Sequence, residues 1–202
     1  MGTRHEYDRV AGLYLPIAAA VFALVVVVLA ALLWRYRAAA GRATGGPSEM
    51  PRLEGAWIAL VVAVVVVLLV VTLRAESHED AVARDPALVV GVLAAKWSWR
   101  FDYPGGVSTR DELVVPAGRT VRFDAVSLDV LHDLWVPGLR FQRQVWPDHH
   151  ERFDLYFGHA GTYGGKCAWF CGLGHDSMTF TVRALAPAAF DRWLAARGRA
   201  AA

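Results

Sequence analysis

The sequence predicts a two-helix membrane hairpin followed by an all-β external domain. Three observations predict it. Two long uncharged apolar runs fill the first third of the 202 residues, and the short connector between them is rich in Arg. The rest of the chain breaks into short runs of Val, Phe, Tyr and Trp separated by Gly, Pro and Asp.

The anchor is expected over residues 1–74. Residues 10–34, between Arg9 and Arg35, contain no charged side chain and include Val21–Leu33, almost wholly Ala, Val and Leu. Residues 55–73, between Glu54 and Arg74, are likewise uncharged. About 20 apolar residues cross the hydrocarbon of a bilayer as a helix, so both runs qualify, as helices of about 12–34 and 55–73. A cleaved signal peptide would need a shorter apolar core and a small-residue cleavage site. The first run instead ends in Trp34 and is followed by Arg35 and Arg37. The connector adds Arg42 and Arg52 against Glu49 and Glu54, while Arg74–Asp80 after the second helix is acidic. The Arg excess predicts a cytoplasmic connector, with both termini and the external domain on the outer face of the plasma membrane.

Residues 41–48, rich in Gly, read as a loop, and 75–87, charged and containing Asp85-Pro86, as a linker. The external domain is expected over 88–185. Its strand-like runs are Leu88–Tyr103, Glu112–Val115, Thr120–Val126, Arg152–Phe157 and Met178–Ala184, with breaks at 104–106, 116–118, 137–138 and 147–148. This spacing predicts a sandwich or barrel. Residues 186–202, with Phe190 and Trp193 at i, i+3, predict a helix lying on the domain. A net charge of +2 without a basic, aromatic-interleaved stripe gives no footing for nucleic acid.

The chemistry is concentrated in Cys167-x3-Cys171-x3-His175-x2-Met178, which holds both cysteines of the chain. A disulfide accounts for the cysteines on an oxidising side but leaves His175 and Met178 unexplained. Zinc binds Cys and His, yet its common spacings put two residues between paired Cys and do not recruit Met. Thiolate, imidazole and thioether together form the soft set that suits copper. Two cysteines on one loop allow both thiolates to bridge a pair of copper ions, with His175 and Met178 as terminal ligands and a further His from elsewhere. Of the remaining histidines, His5 and His78 lie in the N-terminus and the linker, and His149, His150 and His159 in polar turn-like stretches. His132 stands at an apolar strand end and is the candidate.

Asp129-Val-Leu-His132, the later Gly161-Thr-Tyr, and Cys167-x3-Cys171-Gly-x2-His175-x2-Met178 resemble subunit II of cytochrome c oxidases bearing the CuA centre. The resemblance runs from about Leu13 to Trp193 and implies a cupredoxin-like Greek-key barrel for the external domain. It implies that Cys167 and Cys171 bridge both coppers, that His132 and Met178 complete one ion, and that His175 and the backbone carbonyl of Trp169 complete the other. It assigns Trp97, in Lys96-Trp97-Ser-Trp99, to electron uptake, although Trp97 and Trp99 at i, i+2 on a strand could simply pack on one face. Glu54 resembles the family's glutamate at the mouth of a proton channel; an acidic residue flanking a membrane helix is more often only an interfacial charge. Many members carry Glu where this chain has Trp169, and that Glu also serves a magnesium ion shared with subunit I. The change leaves the copper carbonyl intact and puts the magnesium site in doubt.

The function implied is that of a terminal oxidase subunit. It takes electrons from cytochrome c and passes them to haem in subunit I, where oxygen is reduced to water with proton translocation. Asp129 and Asp133 could steer a basic donor or be ordinary surface carboxylates. The absence of Cys-x-x-Cys-His excludes a fused c-type haem. The alternatives are the CuA subunit of a nitric oxide reductase, a copper-free quinol oxidase subunit, which would have lost these ligands, and a membrane-tethered copper carrier, which would not need the Trp97 segment.

Overall fold

The computed structural model describes residues 3–37, 50–79 and 83–201. Contacts divide the chain into a helical unit, Asp8–Glu76, and a second unit that takes in Ser77–Ala202. The helices α1 (Thr3–Tyr36) and α2 (Pro51–Glu79) both run past the expected 12–34 and 55–73. Charged flanks do not stop a helix, and Pro51 at the first position of α2 suits a helix start. Residues 75–79, expected as linker, are therefore helical. The expected loop 41–48 lies outside the described residues.

None of the most apolar stretch of either helix is buried within the protein. Val and Leu point outward all round, a surface that water does not tolerate and lipid does. Pro16 sits inside α1, as membrane helices allow. Tyr14 donates to the Leu68 carbonyl at 3.0 Å and also bonds the Thr72 hydroxyl, tying the two helices into a hairpin.

Among its described residues the second unit holds ten strands: β1 (Leu88–Ala95), β2 (Ser98–Asp102), β3 (Ser108–Arg110), β4 (Glu112–Pro116), β5 (Thr120–Ser127), β6 (His132–Val136), β7 (Phe141–Val145), β8 (Glu151–Tyr156), β9 (Gly161–Cys167) and β10 (Thr179–Leu185). They form two five-stranded sheets, ordered β3-β2-β1-β5-β8 and β4-β10-β9-β6-β7. Two pairs, β1 with β5 and β4 with β10, are parallel, while the others are antiparallel. Alternate residues of β5 are buried along its whole length, as the pleat of a half-buried strand requires. Trp99, Phe101, Phe123, Phe153, Leu113 and Leu134 fill the space between the sheets.

The run Leu88–Tyr103 was expected as a single strand. It folds instead as a hairpin, with Ala95 opposite Ser98 and Lys96-Trp97 in the turn. The consequence is that Trp97 and Trp99 do not share a face. Trp99 is fully buried, while Trp97 is 40% exposed. The helix α3 (Pro187–Ala201) packs as expected: Phe190 is buried and Trp193 meets the Tyr103 ring at 5.1 Å. At the start of the unit, Ala83 donates to the Asp154 carboxylate and accepts from Arg122. These two residues form an ion pair at 2.9 Å that is largely shielded from water.

Candidate metal centre

The site is built from neighbouring strands and the loop that follows one of them. β6 begins at His132 and β9 ends at Cys167; the two strands pair, with Leu134 opposite Cys167. The loop from Ala168 to Met178 leaves β9 and returns into β10, its antiparallel neighbour. Cys167 N–H donates to the Met178 carbonyl at 2.9 Å, closing the base of the loop. Ala168 N–H donates to the Asp133 carbonyl at 3.0 Å, fastening the loop to β6. At the far end, His175–Ser177 forms a turn of 3₁₀ helix, held by His175 N–H to the Gly172 carbonyl at 3.1 Å. In that geometry residues three apart lie above one another, which brings His175 and Met178 to one side.

The result is a compact cluster. Cys167 Sγ lies 3.9 Å from His132 Nδ1 and 3.2 Å from the Trp169 carbonyl oxygen. Cys171 Sγ lies 3.6 Å from His175 Nδ1 and 3.7 Å from Met178 Sδ. The ligand atoms of His132, Cys167 and Cys171 all fall within 4.8 Å of one another. Both cysteines are free thiols, and His132 and Met178 are fully buried. Metal–ligand bonds of ~2.0–2.3 Å put tetrahedral ligands about 3.5 Å apart, so these spacings suit donors gathered around an ion.

Electrostatics point the same way. Burial disfavours the Cys167 thiolate, but the His132 imidazole and the backbone of Asp133 and Trp169 outweigh it and bring the thiol down to about 7. At Cys171, burial and the adjacent Cys167 charge act together and push the thiol up to about 11. Two neighbouring thiolates repel each other in a buried pocket. A cation between them removes that repulsion and displaces the remaining protons. The donor set therefore fits a soft metal such as copper.

Asp129 stands at the surface, yet both of its carboxylate oxygens are engaged beside the cluster. Its Oδ1 accepts from His132 Nε2 at 2.8 Å and its Oδ2 from Lys96 N–H at 2.8 Å. The bond at Nε2 turns Nδ1 towards Cys167. Burial resists ionisation of Asp129, but the Lys96 N–H and His132 overcome it, and its carboxyl titrates below the usual range. A carboxylate three residues before the candidate His was the signal for this orienting role. Asp133 is only 1% exposed; one oxygen accepts from Gln142 at 2.6 Å and the other is buried without a partner. It has no surface to offer a donor protein, and burial raises its pKa. Asp129→Ala is expected to weaken metal affinity about 10–100-fold, the usual cost of losing a carboxylate that orients a ligand His. Competition with a chelator measures it, and an affinity equal to wild type would show that His132 is held by packing alone.

Of the other residues singled out, Trp169 keeps its indole 47% exposed while its carbonyl faces Cys167. Trp97 lies against Gly172 and Gly174 of the loop, its Nε1–H directed at the Cys171 carbonyl at 3.4 Å. Glu54 lies in the first turn of α2 and accepts from Met50 N–H at 3.1 Å. His149 and His150 stand at the surface, paired with Asp148 and Asp124, and His159 is exposed.

Fold and cluster together define a membrane-anchored, cupredoxin-like domain with a soft metal-ligand set. Residues 105–185 match the family profile of the cytochrome c oxidase subunit II periplasmic domain. The chain is 31% identical to cytochrome c oxidase subunit 2 of Bacillus sp. strain PS3 over 157 residues, covering 71% of this chain and 44% of that one. It is 27% identical to the probable cytochrome c oxidase subunit 2 of Streptomyces coelicolor over 242 residues, covering 95% and 76%. The crystal structure of the periplasmic domain of subunit II of cytochrome oxidase from Bradyrhizobium japonicum superposes with a TM-score of 0.56. Its identity is 20%, over 60% of this chain and 100% of that domain. The chain belongs to the cytochrome c oxidase subunit II family. It spans less than half the length of the PS3 relative.

Proposed function

We propose that this chain is the electron-accepting subunit of a membrane-bound haem-copper oxidase. In this reading it holds two copper ions, receives electrons from a c-type cytochrome and hands them to haem in subunit I, where oxygen is reduced to water with proton translocation. One observation carries the reading: each thiol touches one terminal donor for each ion. Cys167 meets His132 and the Trp169 carbonyl; Cys171 meets Met178 and His175. That arrangement supports Cys167 and Cys171 as bridges, His132 and Met178 as ligands to one copper, and His175 and the Trp169 carbonyl as ligands to the other.

When bound, the copper pair supplies a one-electron acceptor whose charge is shared over both ions. The chain's part is to keep the donors in place and dry. The β6–β9 pairing holds His132 beside Cys167, Asp129 fixes the imidazole, and the closed loop base holds Met178 beneath the cluster. A preformed set of ligands keeps rearrangement on reduction small. Trp97, half exposed and in contact with the loop, is the residue through which the electron arrives. Trp169 offers copper a carbonyl and offers magnesium no carboxylate. The Arg-rich connector assigns Glu54 to the cytoplasmic end of the hairpin, where a carboxylate can take up protons, and the copper domain to the outer face.

The test is to load the full chain with copper in detergent and record its electron paramagnetic resonance spectrum. An unpaired electron shared by two copper nuclei is the expected result. A single-copper signal, or a dithiol that binds no copper, would overturn the reading.

A further inference from the structure

We propose, resting on the reading of Trp97 as the point where electrons arrive, that Gly174 is a positioning residue. Its missing side chain is the seat that holds Trp97 against the ligand loop. The backbone does not explain a glycine here. At Gly174 φ is −94° and ψ is 19°, a conformation open to residues with a side chain. Gly172 differs, since its φ of +121° strains any other residue.

What requires glycine at 174 is the indole. A Cβ there would lie 2.6 Å from Trp97 Cδ2 and 2.8 Å from both Cγ and Cε3. These atoms belong to the ring's root and fused edge, not to the free end of a flexible chain, so Trp97 as a whole would have to move. At Gly172 the same ring passes 3.3 Å from where a Cβ would be. The indole thus lies across two glycines of one loop, within reach of the Cys171 carbonyl. At 3.4 Å that hydrogen bond is long and weak, so packing rather than the bond sets the ring's position. On the other side, the turn bearing Trp97 is tied by Lys96 N–H to Asp129, which also holds His132. The Lys96-Trp97 turn therefore touches both halves of the cluster. With copper bound, Trp97 would lie on the path of one electron from a reduced haem protein to the site, a transfer that would oxidise the donor and reduce the copper pair by one electron each, with no bond made and no proton moved.

Four variants of the full chain in detergent test this: Gly174→Ala, Trp97→Ala, the double variant, and Gly174→Ala with Trp97→Phe. In the metal-free chain, Gly174→Ala should lower the unfolding midpoint by about 4 °C or more, as overpacking does. With Trp97→Ala in place the same change should cost almost nothing, because the ring that resists the methyl is gone. The smaller ring of Trp97→Phe should restore part of the loss. In the copper-loaded chain, Gly174→Ala should slow electron uptake from a reduced c-type cytochrome severalfold, with the paramagnetic spectrum unchanged. Equal midpoint losses with and without Trp97 would overturn the seat. Slowed uptake in Trp97→Ala but normal uptake in Gly174→Ala would overturn the positioning role alone. Normal uptake in both, with the midpoints still coupled, would sink the reading of Trp97 and leave a packing contact.

Discussion

Cys171→Ser is expected to halve the copper content, from two ions per chain to one, and to replace the shared-electron spectrum with that of a single copper. The serine hydroxyl is a hard donor that stays protonated at neutral pH, so it cannot take the place of a thiolate bridging soft ions. Cys171 is the group that meets both Met178 Sδ and His175 Nδ1, so its loss removes the link between donors of the two ions. Cys167 and His132 remain together, 3.9 Å apart, and are sufficient to retain one ion. Metal analysis and paramagnetic resonance on the same sample decide the matter. A shared-electron spectrum surviving in Cys171→Ser would mean that the bridge is built by other atoms.

Trp99→Ala is expected to destabilise the external domain by about 3–5 kcal/mol, the usual cost of deleting a large buried aromatic. Native domains hold only about 5–15 kcal/mol in all, so this is a large fraction. Trp99 is fully buried, with the Phe180 ring at 5.4 Å and the His132 ring edge-on at 6.1 Å. The cavity would open directly beside the imidazole, so copper affinity should fall together with stability. Urea unfolding of the metal-free chain reads the first effect and chelator competition the second. A loss below about 1 kcal/mol would show that Phe180 and its neighbours collapse into the space. Trp99→Phe should be far milder, because the indole Nε1 is buried without a partner and its removal forfeits no hydrogen bond.

The candidate site was more legible in the sequence than the strands around it. Cys167, Cys171, His175 and Met178 lie on one short loop, so their convergence needs only local chain geometry. A lone His at an apolar strand end is by default a satisfied core residue; His132 could be chosen because the Cys loop calls for a further His and the other histidines lie in the N-terminus, the linker or polar turn-like stretches. The strands were harder. β9 contains Gly161, Gly164 and Gly165, residues that local preference assigns to turns. Gly165 is there because the Phe180 ring occupies the space where its side chain would be, 2.2–2.5 Å from the Cβ position. Such a requirement comes from a neighbouring strand and leaves no local pattern. β7 was absent from the expected runs, and β6 was read only as an apolar strand end at His132; its burial, inside at His132, Asp133 and Leu134 in succession, departs from alternation.

The sequence by itself determined the two apolar helices, the all-β character of the external part and which candidate donor residues cluster. Each rests on short-range signals: unbroken apolar length, runs of β-forming residues, and a motif whose donors are a few residues apart. Only the tertiary structure decided where Trp97, Trp99, Asp129 and Asp133 sit and what they touch. A hairpin turn at Lys96-Trp97 sends one Trp to the loop and the other to the core. The fold also separates two sequence-similar carboxylates: Asp129 stays at the surface with one oxygen on His132, while Asp133 is buried against Gln142. The physical reason is that a side chain's role depends on what lies across from it. For these residues the opposite side is supplied by chain segments distant in sequence.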